Sequence, residues 1–219
     1  MAYSPFVRVS ITGYLGTPGT RVEHFSTGFA LRGPVDGSFP ADVAPMSDAI
    51  GAWWAKGDSG IGNNAWIEQV KFSPKDASGK DSQTPVVILV GGDGLRGGGI
   101  PSTLPYSASR VVSLNGMHEN RRAKGRMYLP APTGEVDPET GKWAGGHELA
   151  IATNVSDMFK AIDALSNGKF KVCVASKYGI NADVSQVRVG DVPGTVRERR
   201  DNLKEVYVSV VVIPFPVTP

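Results

Sequence analysis

Four features of this 219-residue chain use residue types able to do chemistry: a glycine-spaced loop, three histidines, one cysteine and two arginine clusters. Gly92-x-Gly94-x-x-Gly97 follows the apolar run Pro85–Val90, which is the order found in dinucleotide-binding loops. In such loops the glycines let the backbone approach a pyrophosphate, and a helix opening directly afterwards offers its free N–H groups to it. Here Gly98, Gly99, Pro101 and Pro105 follow, and no helical period begins. The expectation is no bound cofactor, and a flexible glycine loop over Gly91–Gly99 that lies across a neighbouring subunit. The histidines, His24, His118 and His147, are scattered, with no His-Glu-x-x-His pattern or other metal-ligand spacing. There is no Gly-x-Ser-x-Gly elbow, and Gly141-Lys142 runs into Trp143 where a phosphate-binding loop needs Ser or Thr. Asp137-x-Glu139 sits beside Pro138 and reads as a solvated turn. Cys173 stands in an apolar strand and reads as a small core residue. No residue is therefore assigned a catalytic, cofactor-binding or metal-binding role, and the chain is expected not to be an enzyme.

The arginine clusters remain. Arg121, Arg122, Lys124 and Arg126 are candidate nucleic-acid contacts, since clustered basic residues suit phosphate, although Glu119 beside them also allows surface salt bridges. Arg197, Arg199 and Arg200 alternate with Glu198 and Asp201, and Glu205 follows. Arginine forms paired hydrogen bonds with a carboxylate, so this mixed segment suits contact between subunits, where such pairs set register. Net charge is +2, so the chain as a whole makes no electrostatic case for nucleic acid.

The elements that must carry these residues are mainly strands. Gly 27 and Pro 16 are high for a helical protein. In Pro5–Leu15, Val7, Val9 and Ile11 alternate with Arg8, Ser10 and Thr12, the pattern of a half-buried strand. Arg21–Leu31 is expected to return as a hairpin, and Gly33–Pro40 to be loop. Further strands are read at Ala65–Phe72, Ser107–Leu114, Gly125–Leu129, Phe170–Ser176 and Asp183–Val189. Pro85–Val90 is a continuous apolar run read as a buried strand, and Val208–Ile213 is another, expected to be buried on both faces. Ser73–Thr84, Asn115–Lys124 and Thr133–Gly146 read as exposed polar loops. Asp42–Lys56 has helical spacing, with Pro45 suited to its first turn. Ile151–Asn167 has it too, with Ser156 as cap and Gly168 as stop. Asn154-Val-Ser156 formally fits a glycosylation site, but the capping role of Ser156 argues against that use. A third helix is expected at Arg197–Lys204, opened by the capping box Thr195-x-x-Glu198.

The pattern predicts a β-dominated α+β fold, an antiparallel jelly-roll-like β-sandwich with two or three short helices, in a single domain over residues 1–219. A Pro-rich extended tail, 214–219, suits lying on another surface. No leader pattern opens the chain and no apolar run reaches membrane-spanning length, so a cytoplasmic protein without a membrane partner is expected.

Two stretches, Ser107–Pro132 and Val187–Tyr207, carry a resemblance. A Ser-Leu strand, a basic gap, Gly-Arg-x-aromatic-Leu-Pro, and later Val-x-Val-Gly followed by an Arg-rich segment resemble a group of uncharacterised virion structural proteins. These come from bacteriophages and small environmental viruses, and some are called coat proteins and others minor tail proteins. The sequence departs from the group's more basic pattern at Val196-Arg197-Glu198. The resemblance implies a self-assembling coat or capsid subunit, built in the host cytoplasm and resident in the virion. Its partners would be copies of itself, other virion proteins and, weakly, the viral genome. Two alternatives are a phage minor tail protein and a carbohydrate-binding attachment module using Trp53, Trp54, Trp66 or Trp143 as stacking platforms.

Overall fold

The computed structural model describes residues 5–17, 20–57, 61, 64–98, 108–118, 121–131, 147–175, 181–189 and 213–214. Their order is β1 (Phe6–Thr17), β2 (Thr20–Arg32), α1 (Phe39–Trp54), β3 (Ala65–Lys75), β4 (Val86–Leu89), β5 (Leu95–Arg96), β6 (Ala108–His118), β7 (Arg121–Ala131), α2 (His147–Leu165), β8 (Lys171–Ala175), β9 (Asn181–Val189) and β10 (Ile213–Pro214). All strand pairings are antiparallel, in the order β4-β3-β1-β2-β8-β9-β6-β7, with β5 on β3 and β10 on β9. The fold is thus β-dominated α+β. The sheet curls enough to bring β7 back against β2, although three strands, β8, β9 and β6, separate them along that path.

Alternation explains β1. Val7, Val9 and Ile11 are buried on one face, while Arg8 is exposed on the other. The helices cover the apolar face. Phe25 of β2 stacks on Trp54 of α1, and Phe29 packs at 5.2 Å against Phe159 of α2. Val43, Met46, Ile50 and Trp53 of α1 and Ile151, Val155, Met158 and Ile162 of α2 fall at helical spacing into the same core.

Two strands keep their apolar residues on one face only because each contains a bulge. In β3, Thr12 pairs with Gln69 and Gly13 with Ile67, which leaves Glu68 as the extra residue. Ala65 and Ile67 before it, and Val70 and Phe72 after it, are consequently all buried. In β9, Asn115 pairs with Gln186 and Gly116 with Val184, leaving Ser185 extra, and both Val184 and Val187 are buried. Opposite each bulge stands a glycine. A Cβ on Gly13 would lie 1.8 Å from the Trp66 carbonyl oxygen, and one on Gly116 2.3 Å from that of Asp183.

Several expectations need correction. The helices are 16 and 19 residues long, not short. α1 begins at Phe39, inside the stretch read as loop, so Pro45 sits in the second turn rather than the first. Ser156 does not cap α2. The helix begins at His147, and Ser156 is fully buried inside it, with no hydrogen-bond partner for its hydroxyl among the described residues. The stop is as expected, since Gly168 at φ 74° donates its N–H to the Asp163 carbonyl. Asn115–His118 and Arg121–Lys124, read as loop, instead belong to a hairpin of two 11-residue strands. The run Pro85–Val90 is not a buried strand, because β4 lies at the end of the sheet and exposes Val87 and Leu89. Within Ser73–Thr84, Ser73 to Lys75 belong to β3. Asp76 then organises a tight turn, its Oδ1 accepting from the Ser78 N–H, the Ser78 hydroxyl and the Lys80 N–H. These bonds hold the Asp76 carboxyl below its ordinary pKa. Pro214 still pairs within β10, opposite Gln186. The expected third helix, Thr133–Gly146, Val208–Val212 and 215–219 lie outside the described residues.

Gly116→Ala is expected to destabilise the protein by about 1–3 kcal/mol, because the carbonyl opposite is backbone and must be displaced. Gly91→Ala, with open space around its Cα, is expected to be within about 0.5 kcal/mol of the parent. Urea denaturation of the two variants tests the pair, and equal stabilities would show that the bulge tolerates a side chain.

Candidate functional site

The glycine loop is built for its own chain. Gly92 and Gly94 take left-handed conformations, φ 66° and 98°, but the chain then enters strand β5 instead of a helix. Gly97 donates to the Ala65 carbonyl at 2.7 Å and Gly98 to that of Trp54 at 2.9 Å. The Tyr14 hydroxyl donates to the Asp93 carbonyl, while its ring stacks on Trp66, over which Arg96 sits at 5.7 Å. Through Gly98, then, the loop is tied down at four points and offers no row of N–H groups to a phosphate. This corrects the expectation of a flexible glycine loop as far as Gly98.

His24 and Glu68 approach to 3.9 Å on the open face of the sheet, in a shallow depression with Thr12, Ser26 and Leu89. His118 and His147 lie in β6 and α2. No group of three metal-ligating side chains occurs among the described residues. Cys173 is buried below the fork formed by Arg32 and Asp183, whose Nε–Oδ1 and Nη2–Oδ2 distances are 2.8 and 2.6 Å. Burial pushes the thiol up to about 12, with the Asp183 charge acting in the same direction, whereas the hydrogen bond to Asp183 raises the Arg32 pKa. Asn154 of the formal glycosylation triplet is also buried, and its Oδ1 accepts a hydrogen bond from the Lys56 ammonium.

The basic residues of β7 belong to a larger feature. Lys124, Arg126 and Tyr128 alternate with Gly125, Met127 and Leu129, and the former three are exposed. Arg126 and Tyr128 form one wall of a groove of about 610 Å³. Its floor is the outer face of β1 and β2, where Arg8 pairs with Ala30, Ser10 with Gly28 and Thr12 with Ser26. Small side chains at Ser10, Ser26, Gly28 and Ala30 make that face a depression, and Arg8 stands at its edge. The turn at Asp76–Gly79 also lines it. Lys75 is occupied by Asp81 at 2.7 Å, whereas Arg8 and Arg126 have no carboxylate partner among the described residues.

Of the expected contact residues, then, Arg126 lines the groove and Lys124 is exposed on the same strand. Arg121 and Arg122 take the first positions of β7. Arg197, Glu198, Arg199, Arg200 and Asp201 lie outside the described residues. Arg8, Ser10, Ser26 and Tyr128 escaped notice because their meeting depends on strand register and curl; alternation in β1 and β7 was the available signal. No protein-family profile, curated protein or solved structure matches the chain.

At about pH 8, native Cys173 is expected to react with iodoacetamide roughly a thousandfold more slowly than the same thiol in denaturant, from the rise of its pKa from 9.0 to about 12. Because the folded value is the higher one, the associated stability is complete below 9.0 and is lost as pH rises towards about 12. Mass spectrometry of alkylation against time checks this, and rapid native labelling would refute it.

Proposed function

We propose that this chain is a self-assembling structural subunit of a virion, a coat or capsid protein whose curled antiparallel sheet makes a jelly-roll-like sandwich. The observation that carries the reading is the edge strand β4. Its outer side pairs with nothing among the described residues, and Val87 and Leu89 are 43% and 72% exposed. A sheet edge with open backbone groups and uncovered apolar side chains is a template for another chain. A curled sheet with helices over one face also supplies the rigid body that repeated packing needs. The resemblance in Ser107–Pro132 and Val187–Tyr207 points the same way. In this reading the partners are copies of the chain and other virion proteins, and the mixed segment Arg197–Asp201 adds contacts between copies.

A minor tail subunit would use the same edge in a different part of the particle. The attachment-module alternative draws no support from the tryptophans described. Trp53 and Trp54 are buried, and Trp66 is packed between Tyr14 and Arg96 while donating to the Gly16 carbonyl at 2.9 Å.

Light scattering at low and high salt is expected to find particles of many subunits. Leu89→Lys and Val87→Lys are expected to shift them to smaller species while leaving the melting temperature nearly unchanged, since both side chains are exposed. A strict monomer at every concentration and salt would overturn the assembly reading.

A further inference from the structure

The groove between β7 and the outer face of β1 and β2 has a composition that assembly through β4 does not require. We propose that it binds single-stranded nucleic acid, with Arg8 and Arg126 on phosphates and Tyr128 as a stacking platform for a base. Arg8 and Arg126 come from distant parts of the chain and meet in one groove. Each guanidinium offers a planar fork of donors that fits a phosphate, and neither is engaged by a carboxylate among the described residues. The carboxylate in the lining, Asp76, commits Oδ1 to three hydrogen bonds of its own turn, and Lys75 is held by Asp81. With Lys75 neutralised by Asp81, Arg8 and Arg126 against Asp76 leave the charged lining a net charge of +1.

Tyr128 decides between an acidic peptide and a nucleic acid. It is 46% exposed on the groove wall beside Arg126, so a large aromatic ring is left available where folding would ordinarily bury it. Stacking on such a ring requires an unpaired base, which selects single strands over duplex. The serine hydroxyls of the floor, Ser10 and Ser26, add donors without adding bulk. Lys124, two positions before Arg126 and exposed, extends the positive surface along β7.

The test is fluorescence anisotropy of a short labelled oligothymidylate between about 50 and 200 mM salt. Light scattering on the same samples separates binding from assembly, because the groove does not depend on β4. The logarithm of affinity is expected to fall with the logarithm of salt with a slope of about −1.4, for two phosphates of a single strand. Arg8→Ala/Arg126→Ala is expected to abolish that slope. Tyr128→Ala is expected to weaken binding about tenfold, with Tyr128→Phe retaining it. All three side chains are exposed, so circular dichroism should report an intact fold. Two outcomes would each overturn the proposal. One is oligonucleotide binding that is absent or indifferent to these variants. The other is oligoglutamate binding that the arginine variant abolishes while oligothymidylate does not bind.

Discussion

The fold depends on a parity constraint. A strand shows alternate residues to opposite faces, so one inserted residue would turn half of its apolar side chains towards water. In β3 the extra residue is Glu68, and in β9 it is Ser185; each is absorbed as a bulge. The two halves of each strand then feed one core. The bulge brings a carbonyl of its own strand against the neighbour, and only glycine leaves room for it, at Gly13 and Gly116. Everything packed on that face, from Phe72 to the helix residues Trp54 and Phe159, relies on those two close approaches.

Covering one face with helices releases the other for contact. The inner sides of β1 and β2 hold Val7, Val9, Phe29 and Leu31, while their outer sides carry Arg8, Ser10, Ser26, Gly28 and Ala30. Because the outer residues carry no core packing, they are free to be small and polar, and the curl of the sheet brings β7 over them. The groove is therefore a by-product of the same twist that encloses the core.

Alternation in β1 and β2, the helical spacing of Val43, Met46, Ile50 and Trp53, and the glycine stop after α2 were all readable in the sequence because each is a local pattern. The failures have equally specific causes. Val86–Leu89 is a continuous apolar run, and composition alone does not distinguish a central strand from an edge strand; strand order does. The polarity of Asn115–Lys124 suggested a loop, but Asn115–His118 and Arg121–Lys124 continue the paired strands β6 and β7, because backbone pairing does not need apolar side chains. Ser156 had the type of a cap, but the helix begins nine residues before it, at His147, so Ser156 falls inside. Of the candidate site, Lys124 and Arg126 were legible as a basic cluster. Arg8 was not, because nothing near it in the chain announces a partner more than a hundred residues away.

The shortness of β4 has a consequence of its own. Four residues at a sheet margin provide few backbone hydrogen bonds and little apolar area, so any single pairing there is feeble and reversible. In the assembly proposed above, such a joint would become durable only when many copies closed upon one another and each bond was backed by the rest. A misplaced subunit attached by one joint would leave quickly, whereas one held by several would stay. That gives an array a means of correcting errors as it grows.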